Sequence, residues 1–225
     1  YEEPSETFIP QSMESLPISE RYQYAITAAE RYNYPEAVEI LEDIIEDAPD
    51  FIPARIRAVD YLNRQDMKQR LARTGTIAFD YLIDVPSNRD QLEPADRYYL
   101  SAVEARVNQA NEDAVSAMQE RLNLDPENRT YLFDLGRFLE EMERHTEALA
   151  VYERLVNLYP DDPAVMYSLA RRQIALKAYD RARLLLERAI VQNPHEALWY
   201  ETLGAVYETL DEEKLSISTY EKAVH

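Results

Sequence analysis

Three prolines, Pro126, Pro160 and Pro194, stand 34 residues apart, and the same interval links Ala114, Ala148 and Ala182, then Leu135, Leu169 and Leu203. A chain that repeats its residue classes at such an interval builds one small unit several times and buries each unit's apolar face against the next. The stretch from Arg129 to Asp162 is the best formed. Ala95–Asn128, Arg129–Asp162 and Pro163–Glu196 each hold 34 residues, and 197–225 is a fourth unit that stops before its closing turn.

Within each unit the apolar spacing predicts a helical hairpin closed by proline, whose ring and missing amide hydrogen end the second helix. The first helix carries a small residue at Ala102, Gly136, Ala170 and Gly204, and the second at Ala114, Ala148, Ala182 and Ser216. Larger residues, Met118, Tyr152, Leu186 and Tyr220, fill the space that the small ones leave. Upstream, Ile18–Phe51 reads as a further hairpin, with Ala37, Ile40, Leu41 and Ile44 on one stripe. The next unit, Ile52–Pro94, breaks the period at 43 residues. Its first helix is expected near Pro53–Asn63 and a longer one, bent at Gly75, near Met67–Ile83, before a polar loop over Val85–Pro94. Residues 1–17, with Pro4, Pro10 and Pro17, read as an extended lead-in whose Phe8, Ile9 and Met13 dock on the first helices.

Composition narrows the choices further. Three glycines among 225 residues and an abundance of Ala, Leu, Glu and Arg give an all-α chain. A net charge of −19 argues against nucleic acid, whose binding is driven by clustered cations. No apolar run reaches the roughly 18 residues of a membrane span, so no direct membrane insertion is expected. Without cysteine there is no disulfide, thiolate metal site or cysteine nucleophile. A chain that opens on Tyr1 and stops inside a repeat is expected to be a fragment.

The repeats resemble the tetratricopeptide repeat family. Its pattern is matched by Leu132, Leu135, Gly136, Leu139, Ala148, Tyr152, Leu155 and Pro160, and again by Tyr200, Leu203, Gly204, Tyr207, Ser216, Tyr220 and Ala223. The unit beginning at Ala95 departs, with Ala105 where a larger residue is usual and Arg121 where a small one is, which puts its packing in doubt. The resemblance implies a right-handed superhelical α-solenoid of antiparallel helix pairs, in six units from Ile18 to His225, the second degenerate. It also implies a concave groove, lined by first helices, that holds a partner's peptide or helix.

Carried onto this sequence, that geometry places Tyr22, Tyr99, Phe133 and Tyr167 on the groove, with Ile26, Val103, Arg137 and Arg171 one turn further on and Arg106 beyond Val103. Aromatic rings beside arginines in an acidic chain would suit a peptide with acidic and apolar residues. The competing reading has the rings packed between adjacent first helices and the arginines paired with Glu140, Glu141 or Glu143. The carboxylate clamp of some co-chaperones needs Lys and Asn at places that here hold Tyr, Arg, Asp and Ser.

No catalytic constellation is visible. His145 takes a turn place held elsewhere by Tyr34 and Tyr179, His195 follows a closing proline, and His225 ends the chain. The acidic clusters at Glu42–Asp47 and Asp211–Glu213 lack the pattern of a calcium loop, so neither metal nor cofactor is expected. The leading expectation is a non-catalytic protein-interaction scaffold. A second is a sensory region of a larger bacterial signalling protein, which the segment Leu92–Leu100 resembles, and a third is a periplasmic assembly factor for envelope or polysaccharide export. Bacterial cytoplasm and periplasm both remain open. Self-association is expected through the uncapped last unit, at Leu215, Tyr220 and Val224.

Overall fold

A computed structural model describes residues 16–63 and 86–223, which fall into two compact units divided between Leu92 and Glu93. Among the described residues there are eleven α-helices and no strand. The expected lead-in residues Phe8, Ile9 and Met13, the helix Met67–Ile83 with Gly75, and Val224 and His225 lie outside them.

In the first unit, α1 (Ile18–Glu30) and α2 (Tyr34–Asp47) form a hairpin, followed by α3 (Ile52–Leu62). Asn33 caps α2 by accepting from the Glu36 amide, and Pro35 occupies the first turn, where its missing N–H costs nothing. Ala25, Ala29, Ala37, Leu41 and Ile44 are wholly buried where the two helices meet, and Ala54, Ala58 and Val59 extend that core onto α3. The expected polar loop over Val85–Pro94 contains a 3₁₀ turn at Pro86–Gln91.

The second unit is a solenoid of four hairpins in sequence order. They are α4 (Pro94–Val107) with α5 (Asn111–Leu124), α6 (Arg129–Glu141) with α7 (His145–Leu158), α8 (Pro163–Ala175) with α9 (Tyr179–Gln192), and α10 (Ala197–Thr209) with α11 (Glu213–Ala223). Asn128 and Asp162 cap α6 and α8 by accepting from backbone amides of the first turn.

One turn geometry serves all five described hairpins. Tyr32, Gln109, Glu143, Lys177 and Asp211 lie in the left-handed region, with φ between 58° and 64°. The next amide reaches back to the last turn of the helix: Asn33 to the Ala28 carbonyl, and likewise Ala110 to Ala105, Arg144 to Leu139, Ala178 to Gln173 and Glu212 to Tyr207, at 2.8–2.9 Å. This closes the helix by satisfying a carbonyl that has no partner within the helix. None of the five residues is glycine, so each turn carries about 1–2 kcal/mol of steric cost that the surrounding packing offsets.

The small and large residues of each hairpin meet as their spacing predicts. A Cβ added to Gly136 would stand 2.8 Å from Tyr152 Cζ, and one added to Gly204 would stand 2.7 Å from Tyr220 Cε1. Where the first helix has alanine instead, at Ala102 and Ala170, the second helix offers the slimmer Met118 and Leu186, and all four are wholly buried. Glycine is thus favoured here by the width of a tyrosine ring and not by backbone conformation.

Candidate functional site

First helices carry the residues through which successive hairpins recognise one another. On α4, Arg106 donates to Glu141 of α6 at 2.7 Å, and its guanidinium lies 4.9 Å from the Phe138 ring. On α6, Glu140 pairs with Arg172 of α8 at 2.6 Å. On α8, Tyr167 stacks on Trp199 of α10 with centroids 5.7 Å apart, and its hydroxyl lies 3.2 Å from Thr202 Oγ1. Burial pushes the Tyr167 hydroxyl's pKa up, with Thr202 and Arg171 acting the other way.

At the centre lies a buried ionic cluster. Asp134 accepts from Arg121 at 2.6 Å and from Arg137 at 2.8 Å, and all three side chains are at most 4% exposed. The Arg121 guanidinium is held between two rings, 4.5 Å from that of Tyr99 and 4.1 Å from that of Tyr131. Such a cluster is stable only while every charge keeps its counterpart, because isolated buried charges carry large desolvation penalties.

Tyr99, Val103, Phe133, Arg137 and Tyr167 are all buried to within 2% of complete, so in this structure they are not an open contact surface. The physical reason is packing both between and within hairpins: Tyr99 meets Phe138 and Tyr167 meets Trp199, each on the following hairpin. Phe133 packs edge-on to Tyr152 and Arg137 binds Asp134, whereas the expected arginine partners Glu140 and Glu141 receive Arg172 and Arg106. Arg106 and Arg171 remain half-buried in the second unit. Tyr22, also half-buried, belongs to the first unit, where it accepts from Arg57 Nε at 3.4 Å and meets the Phe51 ring at 5.3 Å. Ile26, beside it, is buried.

Two residues of the cluster escaped the sequence reading. Arg121 stood out only as a misfit at a small-residue place, and Asp134 was hidden in an apolar run. Their joint signal was two polar departures in successive helices of neighbouring units. Trp199 of α10 is wholly buried against Tyr167. His145 is exposed at the start of α7, with Nδ1 3.4 Å from an Arg172 amino group, and His195 is exposed in a turn.

Second helices carry a repeated strap. Arg154 donates to the Pro126 carbonyl at 2.7 Å and, 34 residues on, Arg188 donates to the Pro160 carbonyl at 3.2 Å. Among the described residues no helix is long and apolar enough to cross a membrane.

Comparison with known proteins agrees with this geometry. The tetratricopeptide repeat family matches residues 99–163 and 139–205. Mouse tetratricopeptide repeat protein 21B is 24% identical over 162 residues, which are 70% of this chain and 11% of that protein. The yeast pre-mRNA-splicing factor 6 is 25% identical over 175 residues, 76% of this chain and 19% of that protein. The chain therefore spans a fifth or less of these relatives. A crystal structure of MamA protein superposes with a TM-score of 0.53 and 26% identity, covering 59% of this chain and 72% of that one. Residues 99–205 of the chain are tetratricopeptide repeats, a helical scaffold of the kind that supports protein–protein contacts.

Proposed function

We propose that the chain is a non-catalytic scaffold whose first-helix face captures an extended or helical segment of a partner protein. The observation that carries this reading is the placement of half-buried arginines, Arg106 and Arg171, along first helices whose aromatic neighbours are fixed by packing. Guanidinium groups held on a rigid backbone are pre-organised for carboxylates, so the segment is acidic with apolar residues between its charges. The buried rings contribute rigidity to this face and not contact area. Because Arg106 also serves the junction with α6, binding and stacking share that residue.

The test is a peptide array probed with the 225-residue protein, in which acidic–apolar, basic–apolar and uncharged sequences are compared. Acidic–apolar peptides are expected to be retained, and Arg171→Glu to weaken that retention about tenfold while the helical circular dichroism stays the same. Equal retention of the basic peptides, or undiminished binding by the variant, would remove the reading.

A further inference from the structure

The second helix α9 lies in an interior hairpin, with α7 before it and α10 after it, yet one of its stripes stays open. Arg181, Leu184, Arg188 and Val191 follow one another at three, four and three residues, the spacing of a single helix face, and all four are exposed. Leu184 is 56% exposed and Val191 80%, more than any other large apolar residue described. At the same places one period earlier α7 has Glu147, Ala150, Arg154 and Asn157, and two periods earlier α5 has Asp113, Ser116, Glu120 and Asn123. The apolar and basic stripe is therefore peculiar to α9 and not a property of the repeat.

Guanidinium groups elsewhere in the array find carboxylates: Arg106 pairs with Glu141, Arg172 with Glu140 and Arg183 with Glu212. Among the described residues Arg181 and Arg188 have no such counterion, although the chain holds 43 acidic residues against 24 basic ones. The carboxylates of α9 itself are engaged on its other flank, Glu187 with the Tyr207 hydroxyl at 2.8 Å and Asp180 with Arg183 at 3.6 Å. Arg188 is also steadied, because one amino group donates to the Pro160 carbonyl at 3.2 Å while the side chain stays exposed. We propose that this stripe docks one amphipathic helix of a partner protein, whose contacting side carries Asp or Glu beside apolar residues.

The stripe sets the spacing of that helix. Arg181 and Arg188 are seven residues apart, about 10 Å along the helix axis, so the matching carboxylates stand two turns apart. Leu184 and Val191 share the interval, and the partner's apolar residues fall between its carboxylates to cover them. The carboxylates supply charge-assisted bonds that no acid of the described chain makes to Arg181 or Arg188, and the apolar contacts remove from water two side chains now surrounded by it. A second molecule of this chain is the weaker occupant. The outer stripe of α2, Glu36, Glu39, Asp43 and Glu46, offers carboxylates with no apolar residue among them and would set charge against Leu184 and Val191. The α9 stripe is separate from the first-helix arginines proposed above, and either site can fail without the other.

The experiment titrates the 225-residue protein into a fluorescently labelled helical peptide bearing glutamates seven residues apart beside leucines. Two matched peptides carry lysine for glutamate or serine for leucine. Anisotropy is expected to report binding of the glutamate–leucine peptide alone, weakening with added salt. Combining Arg181→Glu with Leu184→Ser is expected to reduce its affinity at least about tenfold with unchanged circular dichroism, and Val191→Glu is expected to act alike. Lys214→Glu with Leu215→Ser makes the same changes on the exposed side of α11 and is expected to leave affinity unchanged, as is Arg171→Glu on the first-helix face. Full affinity in the Arg181/Leu184 variant, or equal binding of either matched peptide, overturns the proposal. A comparable loss in Arg171→Glu overturns it by seating the peptide on the first-helix face, and one in the α11 control by reducing the effect to bulk charge. Self-association that the Arg181/Leu184 variant dissolves overturns it too, assigning the stripe to a second molecule of the chain.

Discussion

The hairpin α6/α7 and the hairpin α10/α11 use the same internal device, glycine against tyrosine, yet they sit in different surroundings. Tyr152 is wholly buried, whereas Tyr220 is half-buried and reaches Glu208 at the rim. Every residue from Leu132 to Leu139 is buried on α6, but α10 exposes Glu201, Ala205 and Glu208. Local sequence decides that a hairpin forms. Its neighbours decide what a change inside it costs, as expected where stability divides into unit and junction contributions.

Four measurements bear on that contrast, and the largest effect belongs to the inner hairpin. Asp134→Ala leaves Arg121 and Arg137 buried without the carboxylate they share, and a loss of about 3–5 kcal/mol is expected from chemical denaturation. A loss below about 1 kcal/mol, the range of an exposed pair, would mean that the cluster is hydrated in solution.

Gly136→Ala and Gly204→Ala test the shared device directly. At Gly136 the added methyl meets a ring with nowhere to go, and about 1–3 kcal/mol is expected to be lost. At Gly204 the ring can turn toward solvent, and the better helix propensity of alanine, about 1 kcal/mol, brings the net change near zero. Equal losses at the two sites would break the comparison.

Alkaline pH probes the junction between α9 and α10. Burial and the acceptor Glu187 push the Tyr207 hydroxyl up from 10.0 to about 12. A raised folded-state value favours the protonated form, so this contribution is complete below pH 10 and is lost as pH rises toward about 12. Tyr207→Phe is expected to flatten the fall in denaturation midpoint over that window, and an unchanged slope would discount the shift.

The smallest effect is expected where the two hairpins are alike. Glu143→Gly and Asp211→Gly each relieve a left-handed turn residue and should stabilise by about 0.5–1 kcal/mol, by similar amounts. A clear difference between them, read from thermal midpoints, would show that neighbours reach even into the turns.

The repeat period, the hairpins and the pairing of small with large residues were legible in the sequence because each depends on residues within one unit. Gly136 and Tyr152 are 16 positions apart and announce themselves by recurring at Gly204 and Tyr220. The left-handed turns were not legible: Glu143, Lys177 and Asp211 share no residue type, and glycine, the usual marker, is absent from all of them. Burial of the candidate rings was legible only as the competing reading, in which they pack between helices. Tyr99 and Tyr167 meet Phe138 and Trp199 of the following hairpin, a contact that neither hairpin displays alone, whereas Phe133 packs on Tyr152 of its own hairpin. Arg121 and Asp134 each break the apolar pattern alone and satisfy it together, a property of two helices that neither helix displays.

The straps from Arg154 and Arg188 have a consequence for how such a chain can vary. What each arginine grips is a main-chain oxygen, of Pro126 and of Pro160, and every amino acid possesses one. The gripped residue is therefore open to replacement as far as the strap is concerned, whereas the arginine is not. Mutational drift can accumulate on one side of each strap without loosening it, and at the next place along, Lys222 stands where the following arginine would be.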